Sequence, residues 1–245
     1  MTMLDENTIL RQVPAATNPK QALFIDGIRH AVEIIDLAYG RLRNTLTRTA
    51  LNPPSSSELP KISAQAFLDA WTMIDAIDRF RMLYLQMPGI SFPPPKEGVE
   101  TLQEALEPFR NLRNVADHLA QRADYIVSRG GAAFGTLSWL TGFKIVPMTA
   151  WYCTLMPGTI RSQPEFRKDP LVSTLAWPTD RITLIAGEYE GNLSSVRPHI
   201  ELRIKHFEEQ LKNAFDKLNL RDSPTASDVF MRQAYTPDPS QFKDK

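Results

Sequence analysis

The sequence predicts an α+β protein: an antiparallel bundle of long helices with a small antiparallel β-sheet between the third and last of them. Three observations carry this prediction. Four long segments repeat apolar residues at the 3,4 spacing of a buried helix face. Between Phe134 and Leu193 the pattern changes to β-branched and aromatic runs broken by Gly and Pro. The order is three helices, a strand-rich block, then one helix, with no internal repeat.

The first helix is expected from about Gln21 to Thr49, its stripe formed by Phe24, Ile28, Ala31, Ile35, Ala38, Leu42 and Leu46. "NPPSSSELPK" ends it, because proline cannot donate to the helix ladder. The second starts near Ser63, an N-cap residue type, and runs through Phe67, Ala70, Ile74, Ile77, Phe80 and Tyr84 to "MPGISFPPP". The third spans about Val99 to Ser128, closed by "RGG". "FGTLSWLTG", "KIVPMTAWYCTLMPGTI" and "DRITLIAGEYEGNL" predict three or so antiparallel strands, with Pro147 marking an edge or a bulge. The last helix covers about Val196 to Leu218. Residues 20–222 therefore read as one domain: a bundle (20–130 and 195–222) and a sheet block (131–194). Residues 1–19 and 223–245 read as flexible ends, although Val229, Phe230 and Met231 offer the tail an apolar contact.

Composition narrows the function. The chain has 245 residues, 42% hydrophobic and 23% charged, enough for a core without disulfide or structural metal. Formal net charge is zero, so no broad nucleic-acid footprint is advertised, though a short contact to RNA is compatible with it. The single cysteine, Cys153, lies on an expected strand and reads as a buried structural thiol. The N-terminal stretch carries early acidic residues and no apolar core of signal-peptide length. No window approaches the run of about 18 apolar residues that spans a membrane. The expectation is a cytoplasmic protein without membrane contact.

One stretch resists explanation by packing alone: "FRNLRNVADHLAQR", Phe109 to Arg122. Phe109, Leu112, Ala116, Leu119 and Ala123 fit a buried stripe; Arg113, Asn114, Asp117 and His118 do not. On an ideal helix with Leu102 at zero, Arg113 falls near about 20°, Asp117 near 60°, Asn114 near 120° and His118 near 160°. The four then line one flank, with Arg113/Asp117 and Asn114/His118 as i,i+4 neighbours. Such a set supports RNA cleavage without metal. A His titrating near neutrality serves as base to the ribose 2′-OH or as acid to the leaving oxygen. Arg holds the phosphate, and Asn orients the ring or the substrate. One His is meagre for both proton transfers, so a dimer that joins two copies is the more convincing arrangement.

"RNVADH", Arg113 to His118, resembles the Arg-Asn-x-x-x-His motif of HEPN-domain proteins (higher eukaryotes and prokaryotes nucleotide-binding). The resemblance concerns the bundle portion only, and the strand block lies outside any minimal version of that domain. It implies a compact helical bundle, a homodimer with facing motifs, and metal-independent ribonuclease activity in toxin–antitoxin, phage-defence or RNA-processing systems. Carried over, Arg113 binds or stabilises the phosphate, Asn114 is its polar partner and His118 is catalytic. No cofactor and no metal are implied; the expected partners are RNA, a second copy and a protein partner or antitoxin.

Other residues are weighed beside these. Asp75 and Asp78 on the second helix can reach the Arg113 flank if the two helices are neighbours, and then either support the site or form a structural ion pair. Arg110 and Arg122 can complete an ion-paired face with Glu107, Asp117 and Asp124. His199 and His206 stand about 10 Å apart along the last helix, too far for one metal ion. His30 reads as a surface histidine. Trp139, Trp151 and Tyr152, at strand spacing, read as core. No phosphate-binding Gly-rich loop, nucleophile elbow, zinc spacing or calcium loop is present. The rival to the ribonuclease is a non-enzymatic protein-interaction module in which "RNVADH" is structural.

Overall fold

A computed structural model describes residues 2–90, 100–128, 131–143, 149–158, 178–220 and 223–233. These residues form a mixed α+β fold of five α-helices, a short 3-10 helix (Ile9–Arg11) and a four-stranded antiparallel sheet. The helices are α1 (Pro19–Leu51), α2 (Leu59–Leu85), α3 (Leu102–Asp117), α4 (Ala123–Ser128) and α5 (Val196–Lys217). The strands are β1 (Thr136–Phe143), β2 (Thr149–Leu155), β3 (Thr179–Ala186) and β4 (Tyr189–Asn192).

Helix α1 starts where Asn18 Oδ1 accepts hydrogen bonds from Lys20 N and Gln21 N at 3.0 and 3.4 Å, with Pro19 in the first turn. Its predicted stripe is buried from Ile28 to Leu46 and packs along α2. Helix α2 begins four residues before Ser63, which is buried inside it, because Pro60 fits a first turn and Glu58 is tied to Ser55.

The segment expected as one helix over 99–128 is two. The helical ladder ends at Asp117, and His118 to Arg122 turn into α4 with Gln121 N and Arg122 N both donating to His118 O. Ala116 and Ala123, expected in the stripe, are exposed; Val115 and Ile126 are buried in their place. An exposed alanine costs little, so the small residues did not constrain the face.

The sheet order is β2-β1-β3-β4, every neighbour antiparallel. The third strand-like run is a hairpin, β3–β4, turning at Gly187 with φ +61°. Between β1 and β3 the register shifts past Trp139, and Arg181 takes a left-handed conformation (φ 52°) on the longer side of that bulge. A chain of hydroxyls, Thr47 to Thr179 (2.7 Å) to Thr141 (2.8 Å), with Arg43 Nε donating to Thr179 O at 2.8 Å, ties the sheet to α1. Pro147 lies outside the described residues; β2, which follows it, is an edge strand. Trp139 is fully buried, as expected, whereas Trp151 is exposed and Cys153 half-buried, its thiol pKa pushed up by burial.

Helix α3 lies on β4, and their closeness depends on Gly191. A Cβ there would stand 2.7 Å from Leu112 Cδ1 and 3.2 Å from the Phe109 ring. Both partners are buried, so Gly191→Ala is expected to lower unfolding free energy by about 1–2 kcal/mol in a denaturant titration.

The N-terminal segment packs on the bundle. Met3, Leu4, Leu10 and Val13 are buried in the common core, Met3 N donates to Asp36 at 2.5 Å, and Thr8 Oγ1 donates to Glu208. The tail pairs with this segment only around Thr225, where Ala15 N donates to Pro224 O and Ala226 N to Val13 O, and Val229, Phe230 and Met231, offered as an apolar contact, are exposed. No helix of the described residues is long and apolar enough to cross a membrane.

Candidate functional site

Helix α3 is aimed by its first turn. Thr101 Oγ1 accepts from Glu104 N at 3.1 Å while the Glu104 carboxylate accepts from Thr101 N at 2.8 Å, a capping box that also holds the Glu104 carboxyl below its ordinary range. Leu102, Leu106, Phe109, Leu112 and Val115 face the core, which leaves Arg113 at the boundary with α2.

Arg113 is held by that neighbour. Its Nη1 donates to Asp78 Oδ2 at 2.7 Å, and its Nε stands 3.4 Å from Asp75 and 3.9 Å from Asp117. The Asp78 hydrogen bond, ahead of the charges of Asp75, Asp78 and Asp117, holds the guanidinium pKa above its ordinary value. Asp78 is buried, and its other oxygen accepts from Arg81 Nε at 2.9 Å. Asp75 pairs with Arg79 at 2.6 Å. Three carboxylates thus meet three guanidinium groups, and the flank has no net charge. Nη2 of Arg113 makes no hydrogen bond among the described residues, and the side chain is 30% exposed.

His118 occupies the C-cap of α3 rather than a helical turn below Asn114. Its ring is exposed, with Nδ1 2.7 Å from Gln121 Oε1. A carbonyl oxygen there favours a proton on Nδ1, and Nε2 has no hydrogen-bond partner among the described residues. The turn carrying both residues is fixed from the sheet side, where Arg122 stands 3.5 Å from Glu188 and over the Tyr189 ring.

Of the residues singled out in the sequence, Arg113, Asp75, Asp78 and Asp117 come together. Asn114 is exposed, with no side-chain partner among the described residues. Arg110 stands apart, 3.9 Å from Glu107 on the exposed face. Gln121, which orients the imidazole, was not singled out: three residues after His118 on a continuous helix it would carry no special meaning, and no Gly or Pro marks the helix end. Among the described residues no group of three or more His, Cys, Asp or Glu is placed to hold a metal ion. Two recesses, of about 700 and 210 Å³, are lined by other parts of the chain. No protein-family model, curated protein or solved structure matches this chain.

Proposed function

We propose that this chain is a HEPN-like, metal-independent endoribonuclease whose active centre is completed when two copies bring their α3 ends together. One observation carries the reading: Arg113 and His118 are each held on one side, while Nη2 and Nε2 make no hydrogen bond among the described residues. Asp78 holds Nη1 and leaves Nη2 for a phosphate oxygen; Gln121 holds Nδ1 and leaves Nε2 for a proton.

In this reading Nε2 of one His118 takes the proton of a ribose 2′-OH. The 2′-oxygen attacks phosphorus, the bond from phosphorus to the 5′-oxygen breaks, and the imidazolium of the second copy protonates the departing oxygen. Arg113 stabilises charge on the non-bridging oxygens. The products carry a 2′,3′-cyclic phosphate and a 5′-hydroxyl. Fragment ends that resist phosphatase until acid opens the ring are expected; 3′-hydroxyl ends would contradict the scheme.

The flank's zero net charge favours a second reading, a protein-interaction module. The exposed Leu23, Leu37 and Leu68 on α1 and α2 would suit a protein partner, with Arg113 a clamp between helices. The two readings part on whether His118 matters to RNA cleavage.

A further inference from the structure

The clearest built-in recognition feature lies away from α3, where the tail crosses the N-terminal segment. Arg29, on α1, has a side chain only 9% exposed, yet it is a guanidinium and needs a counter-charge. Asp228 supplies it with two hydrogen bonds, Nη2 to Oδ1 at 2.6 Å and Nη1 to Oδ2 at 3.1 Å. The other acids nearby are poorer partners. Asp26 stands 4.0 Å away and Glu33 3.9 Å, and Glu33 is itself taken by Arg11 at 2.7 Å. His30 Nε2 lies 3.0 Å from Arg29 Nη2 and completes the set. Arg29 Nε is buried with no hydrogen-bond partner among the described residues.

The two sides of this contact are unlike. Between them they enclose a recess of about 210 Å³, with Leu10, Arg11, Val13, Asp26 and Arg29 on the receiving side and Ala226, Ser227 and Asp228 of the tail closing it. The arriving side has no regular secondary structure; residues 224–233 are all exposed, and the Asp228 side chain is 70% exposed. What holds it is one β-bridge, Pro14 to Thr225, its two flanking backbone hydrogen bonds (2.7 and 2.9 Å), and the Arg29 pair. That is how a short extended peptide is bound: main-chain pairing sets the register and one pocket reads one side chain.

We propose that the Arg29 recess is a docking site for an extended peptide carrying an aspartate, and that residues 223–228 are its tethered occupant. The chemistry selects a peptide over a free anion. With Asp228 withdrawn, Arg11 and Arg29 face Asp26 and Glu33, so the recess has no cationic excess to hold phosphate and depends on main-chain pairing as well. Tethering gives the tail a high local concentration, so an outside peptide competes poorly until the tail is weakened. The strap is exposed and has few apolar contacts to lose on release.

The test uses a labelled synthetic peptide of the sequence of residues 223–231, titrated by fluorescence anisotropy into the full chain. Asp228→Ala chain is expected to bind it at least about tenfold more tightly than wild type, and a peptide with Asn for Asp is expected to lose at least about tenfold. Asp228→Asn, which keeps the side-chain shape, is run beside it, and melting curves establish that both variants are folded. Equal binding by wild type and variants, indifference to the Asp in the peptide, or no binding to either folded variant up to millimolar peptide would each overturn the proposal.

Discussion

Asp78→Ala is expected to destabilise the fold by about 3 kcal/mol, a fall in melting temperature of about 6–12 °C for a chain of this size. Asp78 is 5% exposed and accepts from two guanidinium groups, Arg81 at 2.9 Å and Arg113 at 2.7 Å. Removing the carboxylate leaves two cations facing a buried wall. Arg81 is only 12% exposed and has no other ion-pair partner among the described residues, whereas Arg113 at 30% recovers part of its hydration, which puts the cost at the lower end for a broken buried pair. Asp75→Ala is the contrast. Asp75 is 42% exposed, its partner Arg79 60%, and the contact to Arg113 is 3.4 Å, so a loss of about 0.5 kcal/mol is expected. Thermal unfolding of both variants, followed by circular dichroism, checks the pair. Equal small losses would mean that α2 does not anchor α3 through Asp78.

Phe207→Ala is expected to cost about 3–5 kcal/mol. Phe207 is fully buried on the inner face of α5 and meets the Tyr84 ring edge-on at 5.9 Å; Tyr84 in turn meets Phe80 at 5.5 Å. This aromatic file joins the last helix to α2, and burial around it pushes the Tyr84 hydroxyl pKa up to about 12. A methyl group in place of the ring leaves a cavity that long, packed helices cannot close. Phe207→Leu keeps most of the volume and is expected to lose about 1.5 kcal/mol or less. Guanidinium unfolding of the two variants separates cavity from contact; comparable values for both would place the grip of α5 elsewhere.

Which parts were legible in the sequence follows from what periodicity can encode. The faces of α1 and α2 repeat over many turns, and Ile28, Ile35, Leu42, Ile74 and Ile77 are all buried where the spacing places them. The end of α3 was not legible, since Asp117–His118 carries neither glycine nor proline and the stripe continues through Ala116 and Ala123. That hidden end moved His118 from a helical flank to a cap and gave it Gln121. The Arg113–Asp78 pair was legible only as one of two readings of neighbouring charges, because a 35-residue separation leaves no trace in local pattern. The Arg29–Asp228 pair, 199 residues apart, was not legible at all, and a tail of polar residues and proline read as loose. Cores are written locally; polar pairs between distant segments are written only in the fold.

The central claim is that His118 transfers protons in RNA cleavage. It is tested most directly by incubating a mixed RNA pool, with EDTA present, with wild type and His118→Ala protein of matched fold and native mass. Wild type is expected to cleave the pool, and the substitution to lower that cleavage by about 100-fold or more. Equal cleavage by both proteins, or none by either, would contradict it and leave Arg113 and His118 as structural groups at the end of α3.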